Sequence, residues 1–294
     1  MCGNITNSSC KVDILQGAAY SALFIPGSIF NTAALCAFIA KRDSWTDTHI
    51  YMVNLAIADS ALILFLPFRI YDAFFCLPKT TWCTHLMNVH FINMYASIMT
   101  LTAISVHRYL VVKFPFQTRS WRKKKETAVV VCLVIWGLLL SIGAIFQKEN
   151  DPKKLWTCYE RCKDNPLGPA AITMLIVPGF LIPLLIIVFC STQIKCILSK
   201  AESNSEEMKR ILSIVMANMI VFIVCYTPIH VAFLVNLQKP PQDWQLNYPP
   251  AHVYLQVSEW IAATNCCLDS FSYFFLLKSF YSQINGSTKA LSTP

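Results

Sequence analysis

The stretch CTHLMNVHFINMYASIMTLTAISVHRYLVVKFP, running from Cys83 to Pro115, decides how this chain folds. It has no formal charge from Thr84 to His107, and Arg108 follows directly. At a helical rise of about 1.5 Å per residue, Cys83 and Arg108 stand roughly 37 Å apart. That distance is about one bilayer, so the cysteine marks one membrane face and the arginine the other. His90, Asn93, Ser97, Thr100 and Thr102 interrupt the apolar run. Polar groups at membrane depth face protein, so this helix is expected at the centre of a bundle.

The rest of the chain has the same character. Of its 294 residues 55% are hydrophobic and 14% charged, which excludes an ordinary soluble domain. Further spans are expected at Ile14–Ala40, His49–Phe75, Thr127–Gln147, Asn165–Ile194, Ile211–Gln238 and Ala251–Leu277, seven in all. The polar opening MCGNITNSSCKVD lacks the apolar core of a signal peptide, so the first span is expected to direct insertion. With the N-terminus outside, fifteen Lys and Arg fall on the cytoplasmic side and eight outside, the asymmetry of a plasma-membrane protein in that orientation. The net charge of +8 thus concerns membrane lipids; no aromatic-interleaved basic domain points to nucleic acid. Residues 1–13 are read as an extracellular segment, 14–277 as the bundle, and 278–294 as a short cytoplasmic amphipathic helix and tail. Sequons at Asn4 and Asn7 suit glycosylation outside; the match at Asn285 falls on the cytoplasmic side and is discounted.

Within the spans, Asp59 is an ionisable group in the second helix, where it is expected to face a polar interior. Gly27 four residues before Asn31 lets a neighbouring helix approach while the amide bonds across. Pro67, Pro178, Pro183 and Pro228 each remove a backbone donor, and Pro228 in mid-span suits a hinge.

Asn31, Asn54-Leu55-Ala56-Ile57-Ala58-Asp59, Cys83, His107-Arg108-Tyr109, Trp136, Pro183, Phe222-x-x-Cys225-x-x-Pro228 and Asn265-x-x-x-Asp269-x-x-x-Tyr273 stand in order, one set per helix. Together they resemble the signatures of rhodopsin-like (class A) G-protein-coupled receptors. SWTDTHIYMVNLAIAD, ANMIVFIVCYTPIHV and NCCLDSFSYFF resemble the branch holding the lysophosphatidylinositol and kynurenic-acid (orphan carboxylate) receptors, beside those for nucleotides and lysophosphatidic acid.

The resemblance implies a non-enzymatic receptor that activates a heterotrimeric G protein and also meets arrestin. It implies a Cys83–Cys158 disulfide, with Cys162 the competing partner four residues on; a further bridge among Cys2, Cys10, Cys76 and Cys162 is left unassigned. It implies coupling through His107, Arg108, Tyr109, Pro115, Phe116 and Tyr273, and a switch at Phe222, Tyr226 and Pro228. A sodium ion is implied at Asp59, Ser97, Asn265 and Asp269, whose oxygens suit a hard cation; a hydrogen-bonded water network with one acid protonated is the alternative. Two departures stand out: His107 replaces the family's carboxylate before the arginine, and Ser270 replaces a proline. A histidine restrains Arg108 less than a carboxylate does, so a constitutively active or scavenging protein is the alternative. A transporter is disfavoured because no internal hydropathy repeat appears.

For the ligand, Arg69, His90, Arg161, His230, Tyr254 and Glu259 are the inward polar candidates, with Tyr71, Phe91, Met94, Tyr95 and Phe233 as apolar wall. An arginine with two histidines beneath a basic loop favours an anion, a lysophospholipid or small aromatic carboxylate, since guanidinium binds such groups bidentately. Against this, Arg69 could pair with Glu259 or Asp72 as a structural bridge, and the histidines could be satisfied interior residues.

Overall fold

A computed structural model describes residues 12–40, 42, 45–116, 118, 125–149, 151–155, 157–162, 167–200, 206–238 and 251–270. Seven helices cross the molecule: α1 Ile14–Ala40, α2 Asp47–Phe75, α3 Thr81–Lys113, α4 Lys125–Glu149, α5 Pro169–Lys200, α6 Glu206–Gln238 and α7 from Ala251. Six are long and apolar enough to span a membrane among the described residues. α7 is helical to Ala263, turns at Thr264 and resumes over residues 265–270. The expected single span is therefore interrupted where the Thr264 hydroxyl donates to the Ile261 carbonyl at 2.6 Å. Among the described residues the only β pairing is one bridge, Leu155 to Arg161. Asn4, Asn7, Tyr273 and the tail helix expected after Leu277 lie outside the described residues.

α3 is central and α4 peripheral: 61% of the most apolar window of α3 is buried against 17% for α4. The outer surface carries large apolar side chains, with Val134, Leu138, Leu140 and Ile145 of α4 exposed. A lipid solvent permits this. Sidedness inside the bundle comes instead from polar side chains that reach across helices.

Asn31 donates to the Cys266 carbonyl of α7 at 2.8 Å and to Gly27 at 3.1 Å, as its spacing suggested. Asn54 donates to Thr100 at 2.9 Å and accepts from the Trp136 indole at 2.7 Å, joining α2, α3 and α4. Asn93 of α3 donates to the Ala58 carbonyl of α2. Such bonds contribute about 0.6 kcal/mol each within a membrane, and they fix register.

Two glycines set up the binding region. A Cβ on Gly143 of α4 would stand 2.7 Å from the terminal methyl of Ile92 of α3, so a larger residue would make that side chain shift. One on Gly179 would stand 2.6 Å from the Tyr95 ring. Gly179 lies in a wide turn of α5, Val177–Leu181, beside Pro178. A proline cannot supply the donor a regular turn needs, and the backbone widens around it.

Candidate functional site

A cavity of about 180 Å³ opens between α3, α4, α5, α6, α7 and the loop after α4. On α3 it is lined by Met87, Phe91 and Tyr95, an i, i+4, i+8 stripe, with Asn88 and Ile92 alongside. Leu139, Ile142, Gly143 and Phe146 of α4 form the facing wall, and Phe233 of α6 closes one side. Asn88 is not loose in this wall; its amide donates to the Gly143 carbonyl at 3.0 Å. The charged groups gather where Tyr159, Glu160 and Arg161 of the loop meet Gln256 and Glu259 of α7.

The loop is fixed by a disulfide between Cys83 at the start of α3 and Cys158, with Cα atoms 4.9 Å apart. Cys162 and Cys76 are each disulfide-bonded as well, so Cys162 does not compete for Cys83. Cys162 also donates its backbone N–H to the Lys154 carbonyl at 2.8 Å. The loop is thereby folded back over the cavity.

Arg69 of α2 is buried at 4% exposure and does not line the cavity. Its guanidinium donates to the Glu259 carboxylate and lies 4.5 Å from the Tyr20 ring centroid and 4.8 Å from that of Tyr159. The bridge weighed against a ligand role is thus present, with Glu259 and Tyr159 between Arg69 and the cavity. Glu160 accepts from the Gln256 amide. Burial pushes the Glu160 carboxyl above the usual range; Gln256 and Arg69 counteract this, and Glu259 and Asp13 add to it.

Of the residues read as ligand-binding, Phe91, Tyr95, Arg161, Phe233 and Glu259 line this cavity. The others do not line it. Tyr71 is 51% exposed on the outer face, its ring tilted against that of Phe75 at 5.0 Å. Two residues past Arg69, it is turned about 200° from it around the helix. His90 and Met94 face a separate cavity of about 10 Å³ against α2 and α7. Tyr254 lines neither cavity. His230 is buried, with Nδ1 2.6 Å from the Tyr226 carbonyl and Nε2 3.2 Å from the Tyr95 hydroxyl, which is also 3.3 Å from the Leu175 carbonyl. It stacks on Phe180 at 4.2 Å, and Phe180 stacks on Phe222 at 5.8 Å. A satisfied imidazole of this kind offers a ligand no free donor. It does join the cavity floor at Tyr95 to the aromatic column beside Pro228.

Below this column lies a polar cluster. Asp59, Ser97 and Asp269 are 1% exposed and Asn265 is 3%. Asn265 donates to Asp269 at 2.6 Å, while the buried carbonyl oxygens of Asn31 and Asn265 find no hydrogen-bond donor. Two carboxyls, a hydroxyl and an amide oxygen are donors that fit a hard monovalent cation. Among the described residues no group of three or more His, Cys, Asp or Glu could hold a metal ion, so the cluster does not resemble a transition-metal centre.

At the Arg108 end, Ile194 and Leu198 of α5 and Val215 of α6 pack together against Tyr109 and Val112 of α3. His107 reaches sideways to α2: Nε2 stands 3.4 Å from Asp47 Oδ2, and its ring meets Tyr51 at 5.8 Å. The start of α2 is held for this contact by His49, whose Nδ1 accepts the Thr46 backbone N–H at 3.2 Å. Phe116 is 88% exposed beyond the end of α3.

Known proteins carry the same pattern over almost the whole chain. G-protein coupled receptor 35 of Mus musculus is 30% identical over 94% of this chain and 89% of its own length. Lysophosphatidic acid receptor 4 of Mus musculus is 34% identical over 95% of this chain and 80% of its own. Lysophosphatidic acid receptor 6 of Gallus gallus is 30% identical over 92% of this chain and 94% of its own. The family model described as 7 transmembrane receptor (rhodopsin family) matches residues 30–273, and with this central helix, disulfide and seven-helix bundle the chain belongs to that family of multi-pass membrane receptors.

Proposed function

We propose that the chain is a plasma-membrane receptor, N-terminus outside, that binds an extracellular lysophospholipid in the large cavity and activates a heterotrimeric G protein at the Arg108 end. One observation carries the ligand class: the cavity is walled by apolar side chains from five helices and is charged only where the loop meets α7. That division suits an amphiphile with an acyl chain and a phosphate head better than a small aromatic carboxylate, which has little apolar length to bury. Arg161 faces the head, and a guanidinium can hold phosphate through two parallel bonds. The similarity to lysophosphatidic acid receptors 4 and 6 supports the same class.

Signal passes from Tyr95 through His230, Phe180 and Phe222 to the hinge at Pro228, about which α6 moves away from α3 and α5. Arg108, Tyr109 and Tyr273 then meet the G protein, with Pro115 and Phe116 on the rim; arrestin docks at the same face. The resting state is held by the apolar contacts of Leu198 and Val215 with Tyr109, and by His107 acting on Asp47 across to α2. Asp59, Ser97, Asn265 and Asp269 would hold a sodium ion in that state, where its charge would offset two buried carboxyls.

The test is nucleotide exchange on G protein in membranes containing the receptor, challenged with lysophospholipids, nucleotides and aromatic carboxylates. Lysophospholipids should stimulate exchange at the lowest concentration. Stimulation by nucleotides or carboxylates alone would refute the ligand class, and ligand-driven solute flux without G protein would refute the receptor reading.

A further inference from the structure

The charges at the mouth of the cavity do not add up to a site for a simple anion. Among the described residues Glu160 and Glu259 line it, and Arg161 is the one cation that lines it with them. Arg69 stands behind Glu259, engaged with that carboxylate and with two aromatic faces. A phosphate monoester entering here meets one guanidinium and two carboxyl groups, and like charges at this range repel in a poorly solvated site.

Each carboxyl also has acceptor capacity left. Glu160 uses Oε1 for Gln256, and Glu259 uses Oε2 for Arg69. A carboxylate oxygen accepts up to two hydrogen bonds, so Glu160 Oε2 and Glu259 Oε1 remain available. A primary ammonium carries three donors on a compact charge and fits such a pair. A quaternary ammonium, lacking N–H, cannot make those bonds.

We infer that the ligand is a zwitterionic lysophospholipid whose phosphate faces Arg161 and whose primary ammonium is received by Glu160 and Glu259, with the acyl chain between α3 and α4. This rests on the proposed lysophospholipid reading and narrows its headgroup. The elevated affinity of Glu160 for its proton is consistent with it, because a cation beside that carboxyl supplies the charge its burial withholds.

The experiment holds the acyl chain at oleoyl and varies the headgroup: lysophosphatidylethanolamine, lysophosphatidylcholine and lysophosphatidic acid, read as half-maximal concentrations for nucleotide exchange. The ethanolamine ester should act at a concentration at least tenfold below that of lysophosphatidic acid, with the choline ester between them. Glu160→Gln should raise the ethanolamine value about tenfold and leave the lysophosphatidic acid value equal or lower; Glu160→Asp, which keeps the charge, should preserve the order. Lysophosphatidic acid equal to or better than the ethanolamine ester on the wild-type receptor would overturn the inference while leaving the lysophospholipid reading intact. That comparison needs no variant to fold. No response to any of the three lipids would overturn both.

Discussion

At the cavity end of the bundle, Arg69 is held by the Glu259 carboxylate and by the faces of Tyr20 and Tyr159, beneath a loop tied by Cys83–Cys158. At the other end His107 meets Asp47 at 3.4 Å, and α3, α5 and α6 touch through Tyr109, Ile194, Leu198 and Val215. The first set is directional and loses its partner outright when broken. The second is weak or non-directional, and apolar contacts can be exchanged for a partner's side chains with little loss. On the proposed function, a bundle fastened in this way would read at one end and move at the other.

The largest effect that would break this comparison is at Arg108. Arg108→Ala should reduce agonist-stimulated exchange at least a hundredfold, about 2.8 kcal/mol of coupling, with lipid binding and surface receptor retained. Persisting exchange would remove the moving end from the account. Arg69→Ala should act differently, leaving the half-buried Glu259 carboxylate without its cation and costing about 3 kcal/mol of stability. Surface receptor and thermal midpoint should fall. The double change Arg69→Met with Glu259→Leu should recover the midpoint, since paired removal leaves no stranded charge. If the double variant is as unstable as the single one, the ion pair is not what holds that end.

At the weaker end, Asp47→Asn should raise basal exchange about two- to fivefold, equivalent to about 0.4–1 kcal/mol. An unchanged basal rate would mean that the His107 contact restrains nothing. The smallest expected effect is on pH. Glu160 titrates above the ordinary carboxyl range because it is buried, facing Gln256 and Glu259 of α7, Arg69 of α2 and Asp13 before α1. Its charge is therefore present at high pH and lost as pH falls through that raised value. The potency of an ammonium-bearing lipid should fall as pH is lowered through that value, and the fall should be absent in Glu160→Gln. A fall of the same size in that variant would assign the titration elsewhere.

Much of the fold is legible in the residues. Lengths of uncharged sequence locate the helices, because each must satisfy its own backbone in lipid. Asn31 bonds across to α7, as its spacing from Gly27 suggests. The site is legible only in part, and the reason is the solvent. In water a helix shows which face is inward by its apolar stripe; in lipid both faces are apolar, so α4 gives no sign that Leu139, Ile142 and Phe146 form a wall. The outward exposure of Tyr71 is illegible for the same reason. On α3 a usable signal does exist, since Met87, Phe91 and Tyr95 recur every four residues, whereas His90 and Met94 fall on the neighbouring face toward α7. The role of Glu160 is not legible, because loop residues have no periodicity and the Gln256 partner lies 96 positions away.

The central claim is that occupancy of the cavity drives exchange at the far end. It is tested most directly by filling the cavity with protein: Ile142→Trp on the α4 wall, with lipid binding and G-protein nucleotide exchange measured on the same reconstituted receptor. Lysophospholipid binding and stimulated exchange should fall together, at least tenfold each, with the basal rate unchanged. Full stimulation with the cavity filled, or exchange lost while binding persists undiminished, would contradict it.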